Sequence, residues 1–162
     1  MSNIHSVRLE RHVLSGIFQY PEVFSDAQAY LSEKDFYSSV HETIFLIAKQ
    51  ALLNQEKIDK VLIANKIKNL GTTFEDDINI FDYVENLFLS KITKDAAEEA
   101  CQEISKLYRC RELDKVLQKS RTHIRDNLND SFSSIASGCD AIYGSQDLTD
   151  NIEDKPIQPF IE

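Results

Sequence analysis

Apolar residues recur three or four positions apart along most of this chain, the period of α-helix faces. The longest run extends from Lys94 to Leu128 and contains neither Gly nor Pro. Its stripe is Ala97, Cys101, Ile104, Tyr108, Leu113, Leu117, Ile124 and Leu128. At 1.5 Å rise per residue this predicts a helix roughly 50 Å long, more than a compact domain built from the preceding residues can cover. The stripe therefore needs cover: first a short returning helix, and beyond that another copy or a partner.

Shorter amphipathic segments precede it. Leu9, Val13, Leu14, Ile17 and Phe18 predict a first helix capped by Ser6. Pro21 stops it near Tyr20 and can open a second helix carrying Val23, Phe24, Ala27 and Leu31. Ser39-Val40-His41-Glu42 fits a capping box for a third, with Ile44, Phe45, Ile47, Ala48, Ala51 and Leu52 on its face. Asp59 caps a fourth, which ends at Gly71, and Ile58 with Ile63 fits a hydrophobic staple. Asn79 caps a fifth, with Ile80, Phe81, Val84, Leu87 and Phe88. After the long helix, Asn129-Asp130-Ser131 reads as a turn and cap. Phe132, Ile135, Ala136, Cys139, Ile142 and Tyr143 then give the returning helix. The expected fold is all-α. A compact head of about five helices, residues 1–93, precedes a helical hairpin, residues 94–143. An acidic linker, residues 144–162, follows.

Composition agrees with helices: there are only 4 Gly and 3 Pro in 162 residues, and 42% of residues are hydrophobic, enough for a core. The formal net charge of −9 repels nucleic-acid phosphates and argues against direct DNA binding. Lys115, Lys119, Arg121 and Arg125 form a local basic group, read as a solvated helix face. Three cysteines without short spacing exclude a disulfide framework and point to a reducing, cytoplasmic setting. There is no apolar run long enough for a membrane span and no signal peptide.

Catalytic signals are absent. The four glycines are isolated, so no phosphate-binding loop is present, and there is no C-x-x-C or H-E-x-x-H. The histidines are scattered: His41 is expected to pack or hydrogen-bond locally, and His123 to be solvated. Glu75-Asp76-Asp77 reads as an acidic loop. No metal or cofactor is expected in this chain.

Leu9-Glu10-Arg11-His12-Val13-Leu14-Ser15-Gly16-Ile17-Phe18 with Pro21-Glu22, then Asp35-Phe36-Tyr37, His41 and Ile44-Phe45, form an ordered series. It continues through Ile58-Asp59, Ile63-Ala64, Leu70-Gly71, Tyr83-Val84, Leu87, Tyr108-Arg109 and Arg111-Glu112-Leu113. In order and spacing this resembles the N-terminal domain of the DnaB-type replicative DNA helicases, over about residues 6–143. Two stretches depart from that pattern. An acidic Thr72–Asn79 loop replaces a Gly-Gly element, and Ser90–Lys94 replaces a Pro-Ser-Ala-Ala-Asn-like segment, as in a divergent member.

The resemblance implies a collar domain of a hexameric helicase in a bacterial cell or phage-infected host. Its hairpins pair between subunits, and it docks the primase C-terminal domain or a helicase loader. It also implies that ATP and Mg belong to a separate motor domain outside this chain, whose tail would be the start of an interdomain linker. The association surface is expected at Tyr108, Leu113, Val116, Leu117, Ile124, Ile135 and Ile142, about half of which should close the hairpin internally. The alternatives are a free-standing regulator mimicking the collar, an unrelated small helical interaction protein, and a small helical enzyme or metal-binding protein.

Overall fold

A computed structural model describes residues 4–145; the expected acidic linker lies almost wholly outside them. The described residues form seven α-helices and no strands, as the periodicity predicts. They are α1 (Val7–Gln19), α2 (Pro21–Ala27), α3 (Ser39–Leu53), α4 (Lys60–Asn69), α5 (Ile80–Leu89), α6 (Lys94–Asp126) and α7 (Phe132–Gly144). Two 3₁₀ turns, Glu33–Asp35 and Glu75–Asp77, lie in the connections.

The starts of these helices are written in short-range chemistry. The Ser6 hydroxyl accepts from the Leu9 N–H, and the Asp59 carboxylate from the Val61 and Leu62 N–H groups. Asn79 accepts from Phe81 and Asp82, Thr93 from Ala96, and Ser131 from Ser134. Each bond satisfies a donor that the helix itself leaves unpaired. Gly71 closes α4 at φ +66°, a left-handed conformation natural to glycine. The expected cap at Ser39 is displaced by one residue: Ser38 is the N-cap and makes no side-chain capping bond. Its backbone N–H donates instead to the Glu10 carboxylate, 3.0 Å away. The capping box forms earlier, between Ser32 and Asp35. The second helix ends at Ala27, short of Leu31, which is buried in the segment beyond it.

The chain divides into two compact units, the first ending at Tyr108 and the second beginning at Arg109. The first unit's core joins Val13, Leu14 and Ile17 of α1 to Val23 and Phe24 of α2 and Ile44 and Phe45 of α3. Ile63 and Ile67 of α4, and Val84 and Leu87 of α5, complete it with Ala97, Ala100, Cys101 and Ile104 from the first turns of α6. The long helix thus serves this core before it serves anything else.

Gly16 marks the tightest helix contact: a Cβ there would come within 2.2 Å of the Ala97 Cβ. Gly16→Ala raises helix propensity by about 1 kcal/mol. The atom it meets is fixed to a helix backbone and cannot swing aside, so overpacking of about 1–3 kcal/mol outweighs that gain. A lowered midpoint in a thermal melt followed by circular dichroism is the expected result.

Two weak acids, Cys101 in this core and the half-buried Tyr30 packed against it, link its stability to alkaline pH. Burial, followed by the nearby Glu98 charge, pushes the Cys101 thiol up to about 12. Burial first, then the Cys101 and Glu98 charges, pushes the Tyr30 phenol up to about 12. In the unfolded chain these groups ionise near pH 9.0 and 10.0. The folded state therefore binds more protons between those values and 12, and stability falls as pH rises through that window. Below pH 9 the contribution is fully present. Cys101→Ala is expected to flatten the decline between about pH 9 and 11 in urea titrations. An unchanged slope would rule out ionisation of this thiol as a source of the alkaline loss.

Candidate functional site

Within the second unit α7 returns beside α6. The Cys139 Sγ–H donates to the Ser120 carbonyl at 3.8 Å, and Gly138 packs against the His123 ring, where a Cβ would lie 2.0 Å from Nε2. His123 is thus half-buried rather than solvated. Asn127 holds it in place, donating from Nδ2 to the His123 carbonyl at 2.7 Å and approaching Nδ1 at 3.2 Å. Residues 116, 120, 123 and 127 share the α6 face turned to α7. Val116 on that face is 1% exposed.

The neighbouring α6 face has no such cover. Leu113, Leu117 and Ile124 occupy one stripe, which Leu128 continues in the turn after α6, and all are exposed, Leu117 to 58% and Leu128 to 70%. Phe132, the first residue of α7, is 83% exposed, and Tyr143 near its end is also exposed. No residue of α7 is fully buried. Two helices can hide only one stripe each, against one another. A second apolar stripe on the same pair is surface that water leaves uncompensated, and contiguous patches of this kind mark contact sites.

The seven residues expected to make contact separate clearly. Val116 is buried, and Ile135 and Ile142 on α7 are half-buried. Leu113, Leu117 and Ile124 are exposed together on α6. Tyr108 is half-buried and ends the first unit, apart from the others. Leu128, Phe132 and Tyr143 extend the exposed set, although sequence reading placed them only on helix faces. The legible signal for Phe132 was its place directly after the Ser131 cap, in a first turn that has little of its own helix to pack against.

A second feature escaped sequence reading. Glu10 and His41 are 1% and 0% exposed, with Glu10 Oε1 lying 3.5 Å from His41 Nδ1. The other ring nitrogen, Nε2, lies 2.6 Å from the Tyr83 hydroxyl, itself hydrogen-bonded by Arg11. Burial raises the Tyr83 pKa, and the Arg11 charge opposes that shift. His41 therefore joins α3 to α1 and α5 rather than bonding locally. The cluster is enclosed in the first unit and reads as a structural tie. Among the described residues no group of three His, Cys, Asp or Glu side chains could hold a metal ion, and no helix is long and apolar enough to cross a membrane.

A helical core built on capped, amphipathic segments, followed by a hairpin with an exposed apolar stripe, defines an all-α domain. Residues 2–106 match the family described as DnaB-like helicase N terminal domain, and the chain belongs to that family. Its fold is similar to that in the crystal structure of the N-terminal domain of DnaB helicase from Mycobacterium tuberculosis. The TM-score is 0.74 at 16% identity, over 88% of this chain and 99% of that one. No curated protein matches the sequence. The match is to the N-terminal domain of the family, which sets this chain in a helicase context.

Proposed function

We propose that this chain is the collar domain of a hexameric replicative helicase, associating with other copies through its hairpin and docking the C-terminal domain of primase or a helicase loader. In this reading residues 1–93 are the head, 94–143 the hairpin and 144–162 the linker towards a motor domain. The observation that carries it is the exposed stripe Leu113, Leu117, Ile124 and Leu128 beside Phe132 on a hairpin whose second helix buries nothing completely. Family membership supports the context, since the domain occurs in helicases of DNA replication.

Association would bury the α6 stripe and Phe132, while Val116, Ile135 and Ile142 hold each hairpin closed. Apolar anchors of this kind, once desolvated at the centre of an interface, commonly contribute 2 kcal/mol or more apiece. The partner arm is tested by mixing the chain with the C-terminal domain of the primase from the same source in size-exclusion chromatography. Co-elution as one species larger than either component is expected. Separate elution at micromolar concentrations of both, repeated with the helicase loader, would remove the docking role.

A further inference from the structure

Alone among the described helices, α7 has no fully buried residue. Its contact with α6 rests on half-buried Ile135, Gly138, Cys139 and Ile142, which share one helix face. Its 13 residues are few for a helix to persist unsupported. Gly138 near its middle weakens it further.

One contact holds it in register. The His123 ring takes the place of a side chain at Gly138, where a Cβ would lie 2.0 Å from Nε2 and 2.5 Å from Cε1. The ring cannot swing away without leaving Asn127, whose Nδ2 lies 3.2 Å from Nδ1. Nε2 itself is buried with no hydrogen-bond partner among the described residues. It regains water when the helices part, so the fit is close while hydration favours its opening.

The same register places the ends of α7. With Gly138 against His123 and Cys139 against Ser120, α7 runs antiparallel to α6. Phe132, Ala136 and Tyr143 lie on one flank of α7, about a quarter-turn along from the face that meets α6. Leu113, Leu117 and Ile124 lie about a quarter-turn along from the contact face of α6. In antiparallel helices, equal turns in the same chain sense fall on the same side of the pair. The exposed Phe132 and Tyr143 therefore share one face of the hairpin with the α6 stripe.

We infer that α7 is a latch: it opens from α6 as a unit while the first unit stays folded, and the His123 ring on Gly138 keeps it shut. Opening withdraws Phe132 and Tyr143 from the association face and uncovers Val116. Only the effect on association rests on the proposed function; the latch itself does not.

Three cysteines in different settings report on it: Cys110 is exposed, Cys139 is half-buried on α7, and Cys101 is buried in the first unit's core. The experiment follows iodoacetamide labelling of each by mass spectrometry, on the full chain at submicromolar concentration, through a urea series. Cys139 should label at least about tenfold more slowly than Cys110 in buffer, and lose that protection in urea that leaves Cys101 unlabelled, as local opening requires. Gly138→Ala should raise the Cys139 rate at least about tenfold without labelling Cys101, because overpacking against the ring exceeds the gain in helix propensity. Adding His123→Ala should return most of the protection. Cys139 and Cys101 becoming reactive in the same urea range would overturn the latch, as would a Cys139 rate that Gly138→Ala leaves unchanged or lowers. In sedimentation at micromolar concentrations Gly138→Ala should also weaken association about tenfold, although it alters no residue of the stripe. Association of this variant as tight as that of the unmodified chain would overturn the gating alone. An unmodified chain that never associates would overturn the association reading, and the thiol rates then decide the latch by themselves.

Discussion

Glu10→Ala is expected to destabilise the first unit by about 1–3 kcal/mol, the usual cost of leaving a buried polar group without its partner. The carboxylate does two jobs from a position that is 1% exposed. It accepts from the Ser38 N–H at 3.0 Å, taking the place of the missing side-chain cap on α3, and it lies 3.5 Å from His41 Nδ1. Alanine leaves both groups buried without it. His41 is in turn tied to Tyr83 on α5, so three helices lose a common fixing point. Since domains of this size have total stabilities of about 5–15 kcal/mol, such a loss removes a substantial part of the margin. Urea denaturation followed by circular dichroism checks this. A further comparison distinguishes polar pairing from packing: Glu10→Leu combined with His41→Leu should cost less than the sum of the single changes, because it removes both buried polar groups together. A Glu10→Ala loss below about 1 kcal/mol would contradict the structural role of the pair.

The second large effect concerns association. Leu117→Glu or Ile124→Asp places a carboxylate in the exposed stripe. In the isolated chain each site already faces water, with Leu117 58% exposed, so folding should change by no more than about 0.5 kcal/mol. At an interface the same charge must be desolvated without a partner, and association should weaken by at least about a hundredfold, or roughly 3 kcal/mol. Val116→Asp provides the contrast. Its site is 1% exposed, and a charge there should open the hairpin, lowering helicity and association together. Sedimentation velocity and circular dichroism on the three variants distinguish interface from core residue by residue. Equal loss of helicity in all three would place Leu117 and Ile124 in the folding core.

The helices were legible because their signals are local. Ser6, Asp59, Asn79 and Ser131 each announce a helix start within three residues, and Gly71 announces an end. The 3.6-residue period identifies the buried apolar positions of α1, α3 and α5 except Val40, and misses the buried Glu10, Ser15, Gly16 and His41. The Ser39 cap was misplaced because the competing bond comes from Glu10, 28 residues earlier, which no local pattern reveals. His41 was read as local for the same reason, since its partner Tyr83 is 42 residues away. The long stripe on α6 posed a different difficulty. Ala97, Cys101 and Ile104 enter the first unit's core, whereas Leu113, Leu117 and Ile124 remain exposed, though all belong to one run. Period alone gives a face; what the face meets depends on the tertiary structure. Val116, off the stripe by one residue, is the member that the hairpin buries.

Sedimentation equilibrium of the unmodified chain, from about 1 to 100 µM beside Leu117→Glu, tests the central claim most directly, since a modest apolar interface falls in this affinity range. The expected result is a concentration-dependent rise above the monomer mass of 18.6 kDa for the unmodified chain and a constant monomer for the variant. A monomer at every concentration for both would contradict the claim that the exposed hairpin stripe is made to be covered by another copy.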